Sequence, residues 1–463
     1  MTDESPRGLW GLAAEVGEPR NELAACLIDE LDAGLQILAD MPAAVTFFGG
    51  ARIDDDDAYY ADAEKMGELL ADHNIPPRTG AGPGIMRAVP EGFRNRANDA
   101  DNGDCPALQR QIGEGAQPLT QGFNIILPFE QSVNPAIDLS MELAHFPTRK
   151  LMLYQNALGL VIFPGGFGTV DELIEVWRLK AAGDLDFPVL LYGNDFWKPF
   201  EQALQTGYRA YPHLALEDDR YELLECTDDL SHTIERVTEA DLARQHAEPL
   251  HQLGRRIARE LVDGLNYLEQ LTPAVTVLGG SRVSPDSELV AMAEQLACEL
   301  GRHDVPTRAA APGELSVALA RGGHRGQKHL PQQAFGIRRE HARNVYGADR
   351  VHLVADRLTH KVLLNENSRA LVAFPGGLGT LDEFFSMLCQ LQTGTIARRQ
   401  VVLMGTEFWQ PILDTVRTQM LDGPRQTIAA EDMDLMVVTD DPKEAADAAL
   451  ADVDELPPVT HRN

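Results

Sequence analysis

Residues 164–172 read Pro-Gly-Gly-Phe-Gly-Thr-Val-Asp-Glu, and residues 375–383 read Pro-Gly-Gly-Leu-Gly-Thr-Leu-Asp-Glu. Each nonamer follows an apolar run, residues 158–163 or 369–374, and precedes a helical pattern. That context is strand, glycine turn, helix. Glycines let backbone N–H groups approach an anion, and a helix N-terminus adds partial positive charge. Thr169 and Thr380 can supply a hydroxyl donor or cap the helix. The acid pairs, Asp171 with Glu172 and Asp382 with Glu383, are expected in the first helical turn, beside the anion. A phosphate held next to a carboxylate points to chemistry on a phosphorylated molecule.

Working outward, the repeat extends over almost the whole chain. Residues 30–35 match 260–265, an offset of 260 − 30 = 230, and residues 44–52 match 274–282 at the same offset. The nonamers are separated by 375 − 164 = 211, so the second copy lacks about 19 residues in between. The missing stretch corresponds to a polar region around residues 95–118, read as irregular. Beyond the nonamers, residues 191–199 match 403–411, including Trp197 and Trp409, which we read as core packing at matching positions. A period this long means duplicated domains rather than a solenoid. The expected division is a helical segment at 1–40, a catalytic domain at 41–238, a helical linker at 239–270, a degenerate copy at 271–450 and a tail at 451–463.

The chain of 463 residues is long enough for two cores. No apolar run reaches membrane-spanning length and no signal-peptide pattern opens the chain, so a cytoplasmic location is expected. The five cysteines show no metal spacing and no disulfide framework. A net charge of −31 repels nucleic acid polymers and anionic membranes, so neither is expected as a partner. Strands suggested in the first copy at residues 43–48, 75–79, 122–127, 158–163 and 188–192 alternate with helical patterns, among them Ala58–His73 and 169–182. The expected fold class is α/β, two Rossmann-like doubly wound parallel-sheet domains in tandem, forming a pseudo-dimer. Ligands in such sheets sit beyond the carboxyl ends of the strands, where the turns at Gly49-Gly50, residues 80–84 and the nonamer should converge.

Three ordered motifs carry a family resemblance: Thr79-Gly-Ala-Gly-Pro-Gly-Ile-Met86, Thr148-Arg-Lys150 and the nonamer at 164–172. Over roughly residues 40–200 the chain resembles the LONELY GUY (LOG) family of nucleoside-monophosphate phosphoribohydrolases. Residues 124–131 and Asn134-Pro135 are most similar to its larger bacterial nucleotide 5′-monophosphate nucleosidases. Such proteins have been labelled lysine decarboxylases, but no lysine motif for pyridoxal phosphate is identified here. The resemblance implies hydrolysis of the N-glycosidic bond of a nucleoside 5′-monophosphate, to free base and ribose 5-phosphate, with no metal or other cofactor. Glu172 would stabilise an oxocarbenium-like sugar and orient water, and Arg149 would be the second catalytic residue. Gly165, Gly166, Gly168 and Thr169 would cradle the 5′-phosphate, and Gly82, Gly84, Met86, Lys150 and Asp171 would line the nucleotide crevice.

Each assignment has a structural competitor. Glu172 could serve the helix dipole, Arg149 could be a solvated helix residue, Lys150 a surface ion pair and Asp171 a helix-start residue. Glu130 is read as loop structure and His145 as a helical surface residue. The second copy keeps Gly376, Gly377, Gly379, Thr380 and Glu383 as a candidate ligand site, but His360 replaces Arg149 and residues 308–315 read Arg-Ala-Ala-Ala-Pro-Gly-Glu-Leu. Histidine cannot form a guanidinium clamp, and the added side chains and Glu314 should hinder a phosphate. This copy is expected to be catalytically weak or dead, with a structural role favoured over effector binding. The apolar helices after the nonamers are a candidate surface between the copies, and further assembly into homo-oligomers is left open. The competing function is a non-catalytic nucleotide-binding or sensing protein of the same fold.

Overall fold

The computed structural model describes residues 10–17, 19–101, 119–128, 133–239, 248–338 and 346–451. In the first copy, β1 (Ala44–Phe48), β2 (Pro77–Thr79), β3 (Gln121–Ile125), β4 (Leu139–Leu143), β5 (Ala157–Ile162), β6 (Val189–Tyr192) and β7 (Glu225–Thr227) form one sheet in the order β4-β3-β2-β1-β5-β6-β7. The second copy repeats it with β8 (Ala274–Leu278), β9 (Thr307–Ala309), β10 (Gln333–Ile337), β11 (Arg350–Val354), β12 (Ser368–Ala373), β13 (Gln400–Leu403) and β14 (Met436–Val438), ordered β11-β10-β9-β8-β12-β13-β14. Every pairing is parallel. β1, β3, β5 and β6 are buried along their whole length, as strands covered on both faces are, although β3 carries the polar Gln121 and Asn124.

The order of strands reverses between β1 and β5, and between β8 and β12. This switch point is where a doubly wound sheet opens a crevice. The Gly49-Gly50 turn leaves β1 and the nonamer leaves β5, and Gly50 N–H donates to the Pro164 carbonyl at 2.9 Å. The second copy repeats the bond, from Gly280 to Pro375 at 3.0 Å.

Two strands escaped the sequence reading. β4 alternates half-buried and exposed positions at the sheet edge up to buried Leu143, and β7 is three half-buried residues, so neither makes an apolar run. The stretch around 95–118 begins as helix, not irregular chain: the Ile85–Asp101 helix runs into it, and residues 102–118 lie outside the described residues. The shortening falls between β9 and β10, where the offset drops from 307 − 77 = 230 to 333 − 121 = 212.

The copies pack face to face through the helices that follow the nonamers, Phe167–Ala181 and Leu378–Thr393. The Asn194–Ala210 helix packs on Thr406–Val416, and the Glu22–Asp40 helix on Leu250–Leu268. Trp197 and Trp409 are buried at matching places, their indole N–H groups donating to Ile162 and Ala373 carbonyls at 3.1 Å. No helix among the described residues is long and apolar enough to cross a membrane.

Candidate active site

Arg149 rides on the Phe146–Tyr154 helix, whose start is fixed from a distance. The Glu30 carboxylate accepts from the Ala144 N–H at 2.6 Å, lies 3.1 Å from His145 Nδ1 and bonds the Thr148 hydroxyl. Glu260 repeats this in the second copy, accepting from Ala355 and Asp356 N–H groups. The matched acids at 30 and 260 therefore hold the helices that carry Arg149 and His360, a role the sequence reading did not assign.

The Arg149 guanidinium is buried. Its Nε donates to the Phe123 carbonyl at 2.9 Å and its Nη1 to Glu172 Oε1 at 2.9 Å. To get there it passes over Gly80, where an added Cβ would lie 2.0 Å from Nη2. The same Cβ would lie 2.8 Å from Met86 Sδ, and one on Gly82 2.8 Å from Met86 Cε, so Met86 closes this turn. Gly84 has φ +63 and faces the Gly50 carbonyl. The loop is pinned by Thr79, whose hydroxyl donates to the Met86 carbonyl at 3.1 Å, and by Asn134, whose N–H donates to Ala81 at 3.0 Å.

Gly166 is the extended N-cap of the helix, which starts at Phe167. Asp171 and Glu172 thus fall in the second helical turn, not the first. Thr169 makes no capping bond; its hydroxyl instead packs where a side chain on Gly165 would project, 2.1 Å from that Cβ. The earlier start buries Phe167 and leaves the first-turn N–H groups without an acidic side chain in front of them. Gly168 faces the opposite copy, its Cβ position 3.6 Å from Cys389 Sγ. The second copy also reaches the nonamer with Thr427, whose hydroxyl donates to the Gly165 carbonyl at 3.1 Å.

Burial pushes the Glu172 carboxyl up to about 7, against the pull of the Arg149 guanidinium. Only Oε1 is used; Oε2 has no hydrogen-bond partner among the described residues. The structure therefore brings Arg149, Glu172 and the three glycine turns together at the switch point.

Lys150 and Asp171, expected in the crevice, lie instead in the seam between the copies. Lys150 Nζ contacts both Asp171 oxygens at 2.9 Å, Glu175 at 2.6 Å and Ser386 Oγ at 3.3 Å. Lys361 answers from the second copy, 2.6 Å from both Glu175 and Asp382. Arg178 reaches Asp382 at 2.9 Å and Glu383 at 3.4 Å. Asp171, Glu175 and Asp382 each offer an oxygen within 4.8 Å of the others, and the two ammonium groups bridge them. Burial disfavours charge on Lys150, yet the surrounding carboxylates hold its ammonium well above the ordinary range. Burial likewise works against ionised Asp382, but Lys361 and Arg178 outweigh it and hold the carboxyl at about 2. Helical geometry explains the miss: residues 171, 175 and 178 share one stripe, about a turn apart, that lies to the side of Glu172 around the helix. Glu130 lies outside the described residues.

In the second copy His360 is buried with Nδ1 3.0 Å from Glu383 Oε1, and neither ring nitrogen is oriented for a hydrogen bond to the described residues. A cavity of about 430 Å³ opens here, lined by Gly377, Gly379, Thr380 and Glu383 with Arg178 and Arg282. Ala310 and Ala311 form part of its wall, whereas Glu314, expected to repel a phosphate, does not.

Two duplicated parallel sheets with glycine turns at their switch points define a tandem Rossmann-like α/β class. A family model described as "Possible lysine decarboxylase" matches residues 107–237 and 318–449, one stretch in each copy. The chain belongs to this family, the LOG family. It is 32% identical over 78 residues to a cytokinin riboside 5′-monophosphate phosphoribohydrolase from Rhodococcoides fascians. That match covers 17% of this chain and 39% of the relative's length. Among solved structures, the molybdenum cofactor binding protein from Rippkaea orientalis is 15% identical, with a TM-score of 0.30, over 42% of this chain and 95% of that one. The molybdenum cofactor carrier protein from Chlamydomonas reinhardtii is 18% identical, with a TM-score of 0.28, over 44% and 99%.

Proposed function

We propose that the first copy hydrolyses the N-glycosidic bond of a nucleoside 5′-monophosphate, releasing free base and ribose 5-phosphate. The observation that carries this reading is the buried Arg149–Glu172 pair at the switch point, with one carboxylate oxygen left for a ligand. The 5′-phosphate lies on the N–H groups of Gly165, Gly166, Gly168 and Thr169, and Gly82, Gly84 and Met86 bound the crevice. The C1′–N bond breaks with its electron pair leaving on the base, the sugar becomes oxocarbenium-like, and Glu172 stabilises that charge and orients the attacking water. Water adds its oxygen to C1′ and keeps one proton as the anomeric hydroxyl, while its other proton passes by way of the Glu172 carboxylate to the leaving base. Arg149 fixes the carboxylate and ligand geometry with a planar donor fork.

A pyridoxal-dependent lysine chemistry finds no support in Lys150. Its ammonium is held charged by the seam carboxylates, whereas a Schiff-base lysine needs a lowered pKa. The relative from Rhodococcoides fascians favours a nucleotide substrate, and cytokinin nucleotides belong in the test beside the common ones. Chromatographic assay of AMP, CMP, GMP, UMP and a cytokinin nucleotide should show free base and ribose 5-phosphate in equal amounts from at least one of them. Tight binding with no base released from any of the five would favour a sensor.

A further inference from the structure

We propose that the crevice of the second copy is a binding site for a nucleoside 5′-monophosphate, completed by Arg178 from the first copy. The two helices that meet at the seam each send one residue across it, at positions related by 389 − 178 = 211. Cys389 points at the first glycine turn, 3.6 Å from a Cβ on Gly168, and Arg178 at the second, its Cζ 3.3 Å from a Cβ on Gly379. The copy that receives the thiol has its own arginine, Arg149. The copy that receives the arginine has His360 in that place. Each crevice thus has one guanidinium on its nonamer glutamate: Arg149 on Glu172 at 2.9 Å, and Arg178 on Glu383 at 3.4 Å.

The change at the first glycine loop follows from this exchange. Gly80 leaves room for Arg149, whereas its counterpart Ala310 belongs to a copy in which the Arg149 position is His360. The alanines are therefore what a loop tolerates once its guanidinium arrives from elsewhere.

The cavity presents three kinds of surface in order. Gly377 and Gly379 open the helix, and Arg282 lies at this turn, its Nη2 3.7 Å from a Cβ on Gly377. Arg282 donates only to the Leu214 and Ala215 carbonyls, and no carboxylate among the described residues pairs with it. This end suits a phosphate. Glu383 lies deeper, next to His360, whose ring nitrogens lack hydrogen-bond partners among the described residues. The acceptor oxygens of Glu383 and the unpartnered ring nitrogens of His360 match sugar hydroxyls. Leu214, Leu216 and Leu378 supply an apolar wall for a flat ring. A volume of about 430 Å³ falls in the range of small-molecule sites.

The assignment does not depend on hydrolysis by the first copy. Binding of AMP, CMP, GMP and UMP is measured by calorimetry on the full-length Glu172→Gln protein, and again with Arg282→Ala, Arg178→Met or Arg52→Ala added. Arg52 is the first-copy counterpart of Arg282, at 282 − 52 = 230. We expect at least one nucleotide to lose tenfold or more in affinity at one site with Arg282→Ala and with Arg178→Met, and to keep that site with Arg52→Ala. Unchanged binding of all four in Arg282→Ala, or no site sensitive to it, overturns the proposal. Arg282 is exposed and takes no part in the buried ion pairs of the seam, its loss removing only the two bonds to the Leu214 and Ala215 carbonyls, so a misfolded Arg178→Met protein would not spare the idea. Failure of base release with this pattern present would sink the hydrolase reading alone.

Discussion

Glu172 and Gly80 are the residues on which the first crevice turns. The folded-state carboxyl sits at about 7, above its ordinary 4.5, chiefly because it is buried. A raised acid pKa stabilises the folded state fully below 4.5, and that contribution is lost as pH rises to about 7. Glu172→Gln lacks this loss. Denaturant melts at pH 4 and pH 8 should therefore shift in favour of the variant, by on the order of 3 kcal/mol across the range; a constant difference would contradict the burial argument. Turnover should fall as pH drops below about 7, because the carboxylate is the form that faces the developing cation. Gly80→Ala would put a methyl 2.0 Å from Arg149 Nη2 and displace the guanidinium. We expect kcat/KM to fall at least tenfold with the circular-dichroism spectrum unchanged; unaltered kinetics would show that Arg149 does not need its place. The pairing of residues 149 and 172 was legible from motif order, since a glycine turn and its flanking acids are local features. Arg178 was not, because its meaning depends on a crevice more than two hundred residues away.

At the scale of elements, the Phe167–Ala181 helix has two working faces. One carries Glu172 to the crevice; the other carries Asp171, Glu175 and Arg178 to the seam. Read as a string, Asp171 and Glu172 are simply adjacent acids near a helix start. Only the observed start at Phe167 and the partner helix separate them. Strands with continuous apolar runs were readable to within a residue or two, whereas β4 and β7, half-exposed at the sheet edges, lacked that signature. Glu175 bridges two buried ammonium groups, Lys150 and Lys361. Removing it leaves uncompensated charge, so Glu175→Leu should cost about 3–5 kcal/mol in chemical denaturation. A loss below about 1 kcal/mol would mean the lysines find other partners without strain.

For the whole molecule, duplication has allowed the copies to diverge while keeping one architecture. The offset of 230 at the first strands and 211 at the nonamers was enough to read the repeat, its shortening and the doubly wound fold. What the sequence did not disclose is that the copies exchange side chains: Thr427 reaches the first nonamer, and Arg178 reaches the second. On the binding proposal made above, the altered second copy is a differently built crevice, in place of the degenerate one expected from the sequence. The proposed function puts cleavage in the first alone. The most direct test follows free base and ribose 5-phosphate from the best nucleotide of the panel in wild type, Glu172→Gln and Glu383→Gln, each checked for a native melt. We predict a loss of 100-fold or more in kcat for Glu172→Gln and turnover within a few-fold of wild type for Glu383→Gln. Full activity in Glu172→Gln would contradict the account.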